Sequence, residues 1–138
     1  MTTILTPEIS KRKPYYISRH RYYELKHFCL QYPEWEKKVT EASVYRGSSI
    51  VNTFGGQVEF KDPVHDYIAH IDIFKKQMEI IETCAVAADP YISNYILSAV
   101  CYGKTFEELR NLHGMPCGRG YFYKAYRKFF WHLDKIRS

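Results

Sequence analysis

Apolar residues recur along most of this chain at intervals of three and four, the spacing that lines one face of an α-helix. Tyr22, Leu25, Phe28, Cys29 and Tyr32 do so first, behind Ser18 as an N-cap, and predict a helix to about Gln31, where Pro33 interrupts it. Glu34 to Ala42 reads as a further short helical piece anchored by Trp35 and Val39. Between Ser43 and Lys61 the period is lost. Gly47, Ser48, Ser49, Gly55 and Gly56 stand among β-branched residues there, so a linker loop is expected, with a short hairpin at Phe54 to Gln57 as its candidate for β structure. Asp62 as N-cap and Pro63 at the first helical position then open a long helix to about Ala88. Its seam of Ile71, Phe74, Met78, Ile81, Ala85 and Ala88 suits lengthwise packing on another helix. The first helix folded back as a hairpin is the nearer partner, and a second copy of the chain the other. Asp89-Pro90 repeats the start signal ahead of a third helix, Tyr91 to Tyr102, with Ile92, Tyr95, Ile96, Ala99 and Val100 on one side and Gly103 closing it.

The sharpest local signal follows. Thr105-Phe106-Glu107-Glu108 has the form of a capping box, in which the Thr105 hydroxyl accepts from the Glu108 N–H and the Glu108 carboxylate accepts from the Thr105 N–H. The helix it opens is short, because Gly114 is suited to a left-handed ending and Met115-Pro116-Cys117-Gly118 cannot continue it. Arg119 to Arg137 makes a last, longer helix. A short helix, a glycine turn and a longer basic helix form the order of a helix-turn-helix, whose second helix enters the major groove. Phe122, Tyr126, Phe129, Phe130, Leu133 and Ile136 are expected to pack on Leu109, Leu112 and the third helix. That leaves Arg119, Tyr121, Tyr123, Lys124, Arg127 and Lys128 facing solvent. The expected fold is all-α: a basic arm over 1–17, a helical hairpin over 18–88 with a long second helix, and a three-helix unit containing the helix-turn-helix over 89–138.

Charge sharpens this picture. The net charge is only +5, but its placement is uneven. Lys11, Arg12, Lys13, Arg19, Arg21 and Lys26 stand against Glu24 near the start, and six basic residues stand against Asp134 alone between Arg119 and Arg137. The middle is acidic. Two basic blocks around an acidic one suit a phosphate-bearing partner, with Lys11, Arg12 and Lys13 tracking the backbone of double-stranded DNA. Thirteen tyrosines, each a flat ring with a polar tip, fit wet interfaces.

Other chemistries find no support in the residue pattern. Cys29, Cys84, Cys101 and Cys117 are dispersed with no paired spacing, so neither a disulfide framework nor a structural metal is expected. The six histidines include no i, i+4 pair around a glutamate. No nucleophile elbow, phosphate-binding glycine loop or dinucleotide fingerprint is present, so no cofactor and no enzymatic activity are expected. Without an apolar leader or a membrane-length apolar run, a cytoplasmic protein with no membrane partner is expected.

The stretch Y-I-L-S-A-V-C-Y-G-K-T-F-E-E-L, followed by G-M-P-C-G-R-G-Y-F-Y-K-A-Y-R-K-F-F-W-H-L-D-K-I-R, resembles the C-terminal region of small phage and prophage transcriptional regulators of the ArpU/RinA type from Gram-positive bacteria. Those regulators in turn resemble region four of sigma factors. The block Y-Y-I-S-R-H-R-Y-Y-E-L-K-H-F-C-L-Q-Y-P-E-W is similar to the N-terminal helix of prophage proteins of this group. The resemblance covers roughly residues 15–42 and 91–137. It implies a scaffold helix from Thr105 to His113, a recognition helix from Gly118 to Ile136, and a DNA-binding regulator in a bacterial host, with RNA polymerase or another host protein and a homodimer as candidate protein partners. Arg110 stands where such motifs usually place a small residue, and the turn from Gly114 to Phe122 is a residue or two longer than the common one. The alternative is a phage-encoded protein-interaction module, such as an inhibitor of a host nucleic-acid enzyme or a packaging adaptor.

Overall fold

In the computed structural model, residues 15–54 and 63–137 are described, with side chains over 15–44 and 66–137. The expected arm with Lys11, Arg12 and Lys13, the turn of the expected hairpin and the Asp62 cap lie outside them. The described residues are all-helical: α1 (Arg19–Cys29), α2 (Tyr32–Phe54), α3 (Pro63–Ala88), α4 (Ser93–Tyr102), α5 (Phe106–His113) and α6 (Arg119–Ile136). Among them no helix is long and apolar enough to cross a membrane.

The helices differ from the sequence reading at two sites. The segment expected to be a loop from Ser43 is helical as far as Phe54, as the continuation of α2. Glycine and β-branched residues each weaken a helix by only about 0.5–1 kcal/mol. Once the first turn has formed, every further residue adds a hydrogen bond. Pro33 is the second residue of α2 and does not break it, because first-turn N–H groups have no acceptor within the helix. At the other site α4 begins at Ser93 and not at Tyr91. The Asp89 carboxylate accepts from the N–H groups of Tyr91, at 2.8 Å, and Ile92, at 3.4 Å, which closes a turn ahead of the helix.

The described residues divide into two compact units: one takes those up to Gln31 and from Ile80 onward, and the other those within Tyr32–Glu79. This grouping crosses the sequence segments 18–88 and 89–138. The second unit holds α2 and the first part of α3, with Trp35, Ala42 and Ile71 buried. In the first unit α1 packs on α4 and α6, and α4 packs on α5 and α6. Its core joins Leu25, Phe28 and Cys29 of α1, Ile81, Cys84 and Ala85 of α3, Ile96 and Val100 of α4, and Phe122, Phe129, Phe130 and Leu133 of α6.

Ser18 caps α1 as its spacing predicts, its Oγ accepting from the Arg21 N–H at 3.3 Å. The hydroxyls of Tyr22 and Tyr126 share a buried hydrogen bond of 2.9 Å, so each is paired where water cannot reach it. Arg21 Nε donates to Asp134 Oδ1 at 2.6 Å, and the Arg137 guanidinium lies 3.7 Å from the Phe28 ring centre. Two expected core residues are exposed: Leu112, at 73%, and Ile136, at 51%. The left-handed Gly114 folds Met115 into the core beside Leu109, and Leu112 on the last turn of α5 faces away. Ile136 closes the final turn of α6.

Candidate nucleic-acid interface

The arrangement of α5 and α6 starts from two glycines and a threonine. Gly103 ends α4 with φ 69° and Gly114 ends α5 with φ 68°, the left-handed conformation in which glycine carries no steric penalty. The capping box is complete: Glu108 N–H donates to Thr105 Oγ1 at 3.1 Å, and Thr105 N–H donates to Glu108 Oε1 at 2.9 Å. After Gly114, Met115 N–H donates to the Leu109 carbonyl at 3.0 Å. Arg110, the residue out of place by the resemblance, donates from Nη1 to the Cys117 carbonyl at 2.7 Å and clamps the bend from outside. The Tyr95 hydroxyl donates to the His113 carbonyl at 3.5 Å. These bonds set the direction in which α6 leaves the turn.

The six α6 residues predicted to face a partner separate into two groups. Arg119, Tyr121 and Tyr123 are engaged inside the unit. Arg119 Nη2 donates to Glu107 Oε2 at 2.5 Å, and its guanidinium lies 4.6 Å from the Phe106 ring centre. Glu107 is held below the usual carboxylate range by that bond first of all. The Tyr121 hydroxyl bonds to Asp89, which raises its pKa from the ordinary value. Tyr123 is half-buried in an aromatic cluster with Phe122, Tyr126 and Phe106.

Lys124, Arg127 and Lys128 form the second group. Lys124 is exposed, and Arg127 and Lys128 are half-buried. Arg127 Nε is covered and has no hydrogen-bond partner. At helical spacing these three continue into Trp131 and Lys135, so one outward stripe carries four cations and an indole. The acidic residue of α6, Asp134, is paired with Arg21. Sequence reading missed Trp131, Lys135 and Tyr15 as members of this surface. Lys135 Nζ stands 4.4 Å from the Trp131 ring centre, Tyr15 meets Trp131 edge-on at 5.4 Å, and Lys128 Nζ is 6.0 Å from the Tyr15 ring. Extending the spacing from Lys124 through the whole helix finds Trp131 and Lys135. Nothing in the sequence pairs Tyr15 with them, since its position depends on a left-handed backbone, φ 65°, just before α1. His132, between these lysines, has its pKa lowered by burial first and then by Lys128 and Lys135.

No group of three His, Cys, Asp or Glu side chains among the described residues is placed to hold a metal ion. Cys29, Cys84 and Cys101 are buried and form no disulfide. Burial pushes the Cys84 thiol up to about 11, so it carries almost no nucleophilic thiolate near neutral pH.

Comparison with family models, with curated proteins and with solved structures finds no match to this chain.

Proposed function

We propose that this protein is a sequence-specific DNA-binding transcriptional regulator of a phage or prophage, with α5 and α6 working as a helix-turn-helix and α6 as the recognition helix. One observation carries the reading: Lys124, Arg127, Lys128 and Lys135 share a stripe on a helix whose acid is paired elsewhere. A row of cations on a rigid helix suits a polyanion, because neutralising phosphates releases their condensed counterions. The distance from Lys124 to Lys135 along the axis is about 16 Å at helical rise, which exceeds the roughly 12 Å width of the major groove. A helix seated there with its N-terminal half toward the base edges has cations left over to reach the flanking phosphates. Trp131 adds a flat surface for sugar or base contact.

The test is binding of a short random-sequence duplex, followed by binding-site selection, for wild type and for the Lys124→Ala, Arg127→Ala, Lys128→Ala triple variant. The triple variant is expected to bind at least about tenfold more weakly, and its log–log salt dependence to flatten by about 0.9 for each phosphate it no longer neutralises. Undiminished binding by the triple variant sinks the assignment. Exposed Tyr91, Tyr102 and Leu112 favour the second reading, a protein-interaction module. That module would hold a protein partner and leave duplex DNA unbound.

A further inference from the structure

Arg119 is the first helical residue of α6, at the end of the helix that the DNA-binding reading places nearest the bases. In the structure its guanidinium is already occupied by the Glu107 carboxylate, with 56% of one side chain and 58% of the other exposed. A pair so open to water contributes little to holding the fold. Other interactions secure that corner: the Thr105–Glu108 capping box starts α5, and Phe106 is buried with its ring 5.8 Å from that of Phe122. Phe106 also lies under the Arg119 guanidinium and limits where the side chain can lie. The carboxylate is therefore not needed to brace the helix.

A carboxylate presents the guanidinium with the same kind of acceptor that DNA offers. A phosphate oxygen and the O6/N7 edge of guanine both bind arginine along its donor fork, the guanine edge in two-point fashion. We infer that Glu107 is a specificity-determining residue for the DNA-binding reading, a resident competitor that withholds Arg119 from phosphate and releases it to the two-point edge of guanine. Exchanging the carboxylate for one phosphate swaps one charge-assisted bond for another, and it leaves the Glu107 charge beside a polyanion. A phosphate thus offers almost no net gain at this residue. Two-point pairing with guanine discriminates between bases by about tenfold or more and can meet that cost. Glu107 would then suppress binding to arbitrary sequence more than binding to the preferred site.

The experiment uses the full chain as wild type, Glu107→Gln, Arg119→Ala and the double variant. Each is titrated with the same random-sequence duplex and with the selected site over a range of KCl concentrations, with thermal melting of every protein alongside. Glu107→Gln is expected to bind the random duplex about three- to tenfold tighter, with a salt slope steeper by about 0.9, the increment for one more neutralised phosphate. In the Arg119→Ala background the same change is expected to give little of that gain, since the competitor then has nothing to withhold. Unchanged or weaker binding by Glu107→Gln overturns the inference, as does a gain that persists in full without Arg119, which is then mere charge removal. A clear drop in melting temperature on Glu107→Gln overturns it too, by showing a structural brace. Absence of duplex binding by wild type and Glu107→Gln alike, on random and selected sequences, overturns the DNA-binding reading itself.

Discussion

His132 shows how a single side chain reports on the proposed surface. It is half-buried on α6, four residues after Lys128 and three before Lys135, and its pKa is depressed by burial and then by these two cations. The folded protein thus binds a proton at His132 less readily than the unfolded chain does. Stability from this residue is fully present above the unfolded histidine pKa and declines as the pH falls through it toward the lower folded value. An NMR titration is expected to give His132 a midpoint below that of an unperturbed histidine, moved upward by Lys128→Gln. A midpoint unaffected by removing Lys128 charge contradicts the arrangement of the stripe. Arg119 teaches the converse lesson at this scale: solvent exposure alone does not make a cation available, because an acid one helix away, Glu107, has taken it.

At the scale of the element, the bend between α5 and α6 depends on Gly114. Open space surrounds the position of an added Cβ there, so a side chain meets no steric clash with its neighbours. The cost of Gly114→Ala is therefore conformational, about 1–2 kcal/mol for a left-handed residue with a Cβ. Denaturant unfolding of this variant is expected to show that destabilisation without a change in the m-value. A neutral effect argues against the left-handed geometry. The capping box and this glycine were legible in the sequence because each acts through backbone groups within a few residues. The extension of α2 through Gly47 to Phe54 was not, because local propensity disfavours it only weakly and helix propagation outweighs it.

For the molecule as a whole, the decisive fact is that α1, from the start of the described chain, packs on α6 near its end. Leu25 of α1 is 1% exposed in the same unit as the proposed recognition helix. Leu25→Ala is expected to cost about 2–5 kcal/mol by leaving a cavity in that core. Thermal melting monitored through the aromatic signals of α6 reads this directly. A melting temperature equal to wild type shows that α6 is held without α1. The unit that holds α4, α5 and α6 thus also holds α1, which lies outside the expected segment over 89–138.

The helical class, most helix positions, the capped start of α5, the glycine bend and the basic character of α6 were all readable from the residues alone, because period, caps and left-handed turns are written in short-range spacing. That Glu107 takes Arg119, that Tyr15 joins Trp131 and that α1 packs on α6 came instead from the folded chain. These outcomes depend on side chains far apart in the chain, such as Arg21 and Asp134, meeting in space, and no local pattern encodes which distant pairs meet.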